Sequence, residues 1–218
     1  MATNSGGQAI TIERLILALP GYSDFTMNCY LLSDPAQPAL AWVVDPGAEA
    51  DKIMAALGGR QVAGIILTHH HWDHLGALLE VKEASGALVY ASSLEVEAIQ
   101  DSVTKKAAKN GQKALGPVVD RALQEGDVLE IGSLGLEVFL TPGHSQGGIC
   151  LYDSVGGQLV TGDTLFKGSC GRVDLPGGNW RDMVVTLGRL AEFPPETRVY
   201  PGHEDLTTIA RELDAGTL

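Results

Sequence analysis

The chain has 218 residues, 44% of them hydrophobic and 19% charged. That is the composition of an ordinary globular protein long enough for one sizeable core, and it excludes a disordered or fibrous chain. Fifteen Lys plus Arg against 27 Asp plus Glu give a net charge of −12, which repels phosphate backbones and argues against nucleic-acid partners.

Met1 to Gln8 is polar and Gly-rich and reads as a frayed terminus. Ile10 to Leu19 and Thr26 to Ser33 read as strands, with the Pro20-Gly21 turn and the aromatics Tyr22 and Phe25 between them. Leu40 to Val44 is a short buried strand closed by Asp45-Pro46-Gly47, and Ala48 to Leu57 is a helix ending at Gly58-Gly59. The apolar run Val62 to Leu67 leads into Thr68-His69-His70-His71-Trp72-Asp73-His74, which holds four of the six histidines. Leu75, Leu78, Leu79 and Lys82 then begin a helical period that stops at Gly86.

Ala87 to Tyr90 reads as a strand, and Ser92 or Ser93 as the cap of a following helix. Asp101 to Asp120 breaks the rhythm: it holds Gly111, Gly116 and Pro117 and four of the seven lysines, Lys105, Lys106, Lys109 and Lys113. Gln124-Glu125-Gly126-Asp127 is a turn. Strands follow at Leu136 to Leu140, Ile149 to Asp153 and Gln158 to Thr161. Phe166 to Asn179 is a Gly-rich loop, Trp180 to Leu190 a helix, Arg198 to Tyr200 the last strand and Leu206 to Leu213 a closing helix. Two runs of strands, each interleaved with helices, fit two sheets packed face to face with helices outside, in one domain over residues 1–218.

Cys29, Cys150 and Cys170 are odd in number and lack a Cys-x-x-Cys, so neither a disulfide framework nor a thiolate zinc site is expected. Cys29 and Cys150 lie in apolar patterns and read as small core residues. No basic segment followed by an apolar stretch opens the sequence, and no apolar run approaches ~20 residues. A cytoplasmic protein without a membrane span is expected.

The chemistry gathers on histidine. His69-x-His71-x-Asp73-His74 places three imidazoles and a carboxylate within six residues. If that stretch is extended, alternation projects His69, His71 and Asp73 to one side, with His74 following. Taken alone it has a plainer reading, a polar loop in which Asp73 caps the next helix. The other histidines decide against it. His144 in Thr141-Pro142-Gly143-His144, Asp163 in Thr161-Gly162-Asp163 and His203 in Tyr200-Pro201-Gly202-His203 each follow an apolar run. Four strand ends each deliver a ligand, and only His70 is left without a role. Imidazole nitrogens and carboxylate oxygens without thiolate suit zinc, iron or manganese.

In this order the motifs resemble the metallo-β-lactamase superfamily. More narrowly, Asn28-Cys29-Tyr30-Leu31-Leu32, Val44-Asp45-Pro46-Gly47 and Gly162-Asp163-Thr164-Leu165-Phe166 resemble the glyoxalase II-like (hydroxyacylglutathione hydrolase-like) enzymes, from about residue 10 to residue 209. The resemblance implies an α/β fold: the αβ/βα four-layer sandwich, two mixed sheets with helices outside and a metal cleft at the strand ends. It further implies two divalent ions, zinc foremost, with iron or manganese as alternatives. His69, His71 and His144 would hold one, Asp73, His74 and His203 the other, and Asp163 would bridge them. A hydroxide between the ions would attack a small thioester or ester, with Asp73 and Asp163 as the carboxylates on which catalysis depends.

His74, where several true β-lactamases carry arginine, points away from antibiotic hydrolysis, as does a bridging Asp163. His71 in place of glutamate points away from flavodiiron oxygen reductases. Arg172 stands where glyoxalase II offers a basic residue to glutathione, but Val173 and Asp174 supply no tyrosine. The sequence also stops soon after His203, before the helical C-terminal domain of full-length glyoxalase II. Arg172 is therefore read either as a substrate contact or as half of an ion pair with Asp174. The Lys105 to Lys113 segment is read as a solvated helix face or as a lid attracting an anionic thioester. A second reading of the whole is a persulfide dioxygenase of the same fold, with one iron on His69 or a neighbour, His144 and Asp163. A third is a metal-binding protein without enzymatic activity.

Overall fold

A computed structural model describes residues 8–22, 24–109 and 116–218. Most of the frayed terminus expected at Met1 to Gln8, and Lys113 of the lysine cluster, lie outside the described residues. The elements run β1 (Thr11–Ala18), β2 (Thr26–Ser33), β3 (Leu40–Val44), α1 (Ala50–Leu57), β4 (Gln61–Leu67), α2 (Leu78–Ser85), β5 (Val89–Ser92) and α3 (Val96–Lys109). They continue β6 (Arg121–Leu123), β7 (Val128–Ile131), β8 (Leu134–Leu140), β9 (Ile149–Asp153), β10 (Gln158–Gly162), β11 (Leu165–Phe166) and β12 (Ser169–Cys170). The chain closes with α4 (Trp180–Leu190), β13 (Arg198–Pro201), β14 (Thr207–Thr208) and α5 (Ile209–Ala215).

Two six-stranded mixed sheets result, ordered β1-β2-β3-β4-β5-β6 and β14-β13-β10-β9-β8-β7, with β11 and β12 as a separate ribbon. Three apolar clusters make four layers. Tyr30, Leu32, Val44 and Ile66 of the first sheet meet Leu136, Val138, Leu151 and Val160 of the second. The other face of the first sheet, with Cys29, Leu31, Val43 and Ile65, packs on Ile53 of α1, Leu78 of α2 and Val103 of α3. The other face of the second sheet, with Cys150, Leu159 and Val199, packs on Met183 and Leu187 of α4 and Ile209 of α5. β2, β9 and β10 are buried along nearly their whole length, so both faces of each lie in the interior.

Strand direction places the site. β3, β4, β5 and β6 are parallel neighbours. β8 and β10 are both antiparallel to β9, and β13 is parallel to β10, so β8, β10 and β13 all end at one edge. Open α/β sheets hold ligands beyond the carboxyl ends of their strands.

Several local expectations are corrected. α3 runs without a break to Lys109, through the stretch expected to be irregular from Asp101. Ile99, Val103 and Ala107 are its buried face, at a spacing of four that the intervening lysines obscured. α2 begins at Leu78 rather than Leu75, and α5 at Ile209 with Thr208 as its N-cap rather than at Leu206. The hairpin partner β7, the edge strand β6 and the ribbon within the Gly-rich loop were not expected.

Candidate metal centre

The segment after β4 is not extended. Beyond His71 it turns: the His74 N–H donates to His71 O at 3.0 Å and the Leu75 N–H to Trp72 O at 3.3 Å. Asp73 and His74 therefore face a second cluster, not the same side as His69 and His71. Asp73 does not cap α2, whose N-cap position is Ala77. The close turn needs a glycine opposite it, since a Cβ on Gly47 would lie 1.7 Å from Asp73 O.

All seven residues singled out as ligands come together. Donor atoms of His69, His71 and His144 lie within 4.8 Å of one another, as do those of Asp73, His74 and His203. Asp163 lies between the clusters. Its Oδ1 is 3.2 Å from His74 Nε2, and its Oδ2 is 3.5 Å from His144 Nε2, 3.6 Å from His203 Nε2 and 4.0 Å from His69 Nε2. Asp73 Oδ2 is 3.2 Å from His203 Nε2. Gly202 permits this crowding, since a Cβ there would stand 2.4 Å from Asp163 Oδ1 and 2.7 Å from His74 Cε1.

Every candidate ring but that of His71 is aimed by its other nitrogen. His144 Nδ1 donates to Arg172 O and His203 Nδ1 to Thr26 O, both at 2.7 Å. His74 Nδ1 donates to Asp45 Oδ2 at 2.8 Å, and His69 Nδ1 lies 3.0 Å from Thr68 Oγ1. These bonds leave the Nε2 lone pairs of His74, His144 and His203 facing the centre, as ligating imidazoles require. Asp45 sits at a positive φ of 51°, and its other oxygen accepts the Thr68 N–H at 2.8 Å, so it ties the end of β3 to the end of β4. Asp45 also groups with His69 and His74, but its oxygens are already engaged, which makes it an outer support.

The donors fit cations. His69 Nε2, His74 Nε2 and Asp163 Oδ1 are buried without a hydrogen-bond partner; His74 Nε2 and Asp163 Oδ1, though close, are not aligned as a hydrogen bond. Each such buried group costs about 1–3 kcal/mol unless something satisfies it. His144 Nε2, a lone pair by the bond on the far side of its ring, lies 2.7 Å from His71 Nδ1. Burial first, and then the neighbouring imidazoles, hold His69 well below its ordinary range and His71 at about 4. Burial likewise lowers His144. Against burial, Asp163 and Asp45 raise His74, and Asp73 and Asp163 raise His203. Burial would raise Asp163, but His74, His203 and His144 hold it far below the usual carboxylate range.

Arg172 is not aimed at the centre. Its guanidinium forks onto Asp174 with two bonds of 2.7 Å, both side chains about two-thirds exposed, while its carbonyl supports His144. Asp45 and Glu95 are the supports that motif reading missed. Asp45 carried a signal, an acid closing the strand beside the histidine strand. Glu95 carried none, since only the fold brings it to His70.

The metallo-beta-lactamase superfamily pattern matches residues 24–203. An uncharacterized protein of Aquifex aeolicus (strain VF5) is 38% identical, over 91% of this chain and 94% of that one. A hydroxyacylglutathione hydrolase of Ectopseudomonas mendocina (strain ymp) is 35% identical over 86% of this chain but only 64% of that enzyme, so the chain spans less than two thirds of that relative. The probable metallo-hydrolase YqgX of Bacillus subtilis (strain 168) is 34% identical over 86% and 89%. Among solved structures, BLEG-1 B3 metallo-beta-lactamase has a TM-score of 0.80 at 29% identity, over 94% and 97% of the two chains. TTHA1623 in a di-iron-bound form has 0.78 at 34%, over 93% and 98%. ETHE1 from Myxococcus xanthus has 0.72 at 28%, over 93% and 81%.

Proposed function

Since the chain belongs to the metallo-beta-lactamase superfamily, we propose that it is a dinuclear metal-dependent hydrolase of a small thioester or ester, glyoxalase II-like. The observation that carries this reading is one buried carboxylate, Asp163, within 4.0 Å of four imidazoles drawn from two separate three-ligand clusters. His69, His71 and His144 would hold one cation, Asp73, His74 and His203 the second, with Asp163 shared. Two such cations, when bound, lower the pKa of water towards ~7 and polarise a carbonyl.

The protein's own contribution is orientation and charge. The Arg172 and Thr26 carbonyls hold His144 and His203 in one tautomer, and the Asp45 carboxylate does the same for His74 while making it a stronger ligand. Asp73 and Asp163 bring two negative charges to a pair of dications, leaving the centre net positive towards a developing oxyanion. The relatives named hydroxyacylglutathione hydrolase and metallo-hydrolase support hydrolysis. The likeness to ETHE1 favours a second reading, one iron on His69 or a neighbour, His144 and Asp163 with a persulfide as substrate.

Elemental analysis of protein purified without added metal, with thioester, persulfide and β-lactam turnover on the same sample, tests both readings. Two ions per chain and thioester cleavage are expected. One iron per chain with oxygen uptake on a persulfide would replace the first reading with the second. A β-lactam as the preferred substrate would replace both.

A further inference from the structure

Trp72 lies between two of the proposed ligands, yet half its surface faces solvent. It ends a run of rings that begins on the centre. Phe25 stacks on His203 with centroids 4.8 Å apart, Tyr22 meets Phe25 edge-on at 6.1 Å, and Tyr22 stacks on Trp72 at 5.7 Å. All three aromatics are between 42% and 56% exposed. Exposed rings joined into one band beside a reactive centre mark a surface that a ligand covers.

Past Trp72 the band opens on a cavity of about 660 Å³, a size within the range of small-molecule sites, roughly 300–1,000 Å³. Its floor is apolar and buried: Ala48, Leu75, Ala77 and Val103. Its rim carries Lys105, Lys106 and Lys109 of α3, three of the seven lysines in a chain of net charge −12. Spacings of three and four put these ammonium groups on one helix face, where like charges weaken a helix. Few partners relieve them. Lys105 pairs with Asp101 at 2.5 Å, and Lys106 donates to Gly76 O and lies 3.9 Å from Glu80. Lys109 has no hydrogen bond or ion pair among the described residues. Of the two acids lining the cavity, Glu80 is the one near Lys106, while Glu49 accepts from the Ala18 N–H and Lys52.

We propose that this cavity is a subsite for an anionic group at the far end of the substrate, whose remaining length lies along Phe25, Tyr22 and Trp72. The proposal rests on the hydrolase reading and narrows it to elongated, anion-terminated esters or thioesters. Lysine presents a compact point charge on a flexible stem, which suits a phosphate or carboxylate without demanding a fixed fork geometry. The anion belongs either to the thiol carrier or to the distal end of the acyl chain, and the chemistry recognised is the same.

The test compares the metal-loaded full chain with its Lys105→Glu/Lys109→Glu variant on three thioesters. These are acetyl-N-acetylcysteamine, with no anion; acetyl-4′-phosphopantetheine, with an anionic carrier; and 11-carboxyundecanoyl-N-acetylcysteamine, with a long acyl chain ending in a carboxylate. The variant should lose roughly ten- to hundred-fold in kcat/KM, mainly through KM, on one anionic thioester relative to the neutral one. The one affected identifies the source of the anion. The wild-type advantage on that substrate should also shrink as salt is raised. An equal change on all three substrates overturns the subsite. Calorimetric binding of S-ethyl-4′-phosphopantetheine and of S-(11-carboxyundecyl)-N-acetylcysteamine, neither hydrolysable, separates this from the broader reading. Lysine-dependent binding without turnover of any thioester leaves the subsite standing and removes the thioesterase. Turnover with lysine-independent binding of both probes does the reverse.

Discussion

His70 Nδ1 meets Glu95 Oε2 at 2.5 Å, and the other oxygen of this buried carboxylate accepts the Gly147 N–H at 2.7 Å. One side chain at the head of α3 thereby braces two ligand-bearing segments, 69–71 and 144–148. His70, the histidine without a role in the motif, is the handle by which the first of them is held.

Removing the brace should loosen the cluster of His69, His71 and His144 more than the other. Glu95→Ala is expected to weaken metal binding there by about 10- to 100-fold, as for outer supports elsewhere. Chelator competition on the variant checks it. Two ions retained with wild-type affinity would show that the brace is dispensable.

Asp163→Asn keeps the shape but removes the charge facing four imidazoles. Turnover should fall by at least about hundred-fold, in line with the several kcal/mol that metal-assisted charge stabilisation supplies. The far-ultraviolet circular dichroism should not change. Near wild-type turnover with full metal content would mean that Asp163 is not shared between the ions.

Loading should depend on pH in two stages. His69, His71 and His144 are held below the ordinary value of 6.5, His71 at about 4, so they stay ready to ligate further into acid than a free imidazole. His74 and His203 are raised above 6.5, so a cation must displace protons there as soon as pH falls below those raised values. Protein dialysed against dilute metal should carry two ions at pH 8 and, as the pH is lowered, lose the ion on Asp73, His74 and His203 before the one on His69, His71 and His144. Simultaneous loss of both ions would contradict this.

Gly202 has no left-handed φ, so its backbone accepts alanine, and only space forbids a methyl there. Gly202→Ala should fold yet push Asp163 and His74 apart, with metal content below one ion per chain. A fully loaded variant would show that the centre tolerates more displacement than its packing implies.

Arg172 is kept as a substrate contact only through exchange, its guanidinium leaving Asp174 for an anion. Asp174→Ala should then lower KM for anionic thioesters and Arg172→Ala raise it about tenfold, the scale of one charge-assisted hydrogen bond. Equal effects on charged and neutral substrates would reduce the pair to a surface tie.

The proposed ligands were legible because each follows an apolar run that ends in a turn, and the turn residues Pro142-Gly143 and Pro201-Gly202 mark the places. The split between the clusters followed only from the family resemblance, not from the local pattern. It depends on the turn from His71 to His74, which local alternation misdescribes. α3 was hidden because lysines on its cavity face outweighed three buried residues, Ile99, Val103 and Ala107. Supports such as Thr26 O and Arg172 O are backbone atoms, to which side-chain identity gives no clue.

The first sheet is complete at Leu123, and the second begins at Val128. Every ligand before that boundary belongs to one sheet, and His144, Asp163 and His203 belong to the other. During synthesis, the emerging chain thus displays His69, His71, Asp73 and His74 well before the residues that complete either cluster exist. With the ligand set proposed above, metal capture would be a late event that reports correct docking of the two halves. Residues 1–125 produced alone should retain far less metal through gel filtration than the whole chain, and full retention by that fragment would refute the coupling.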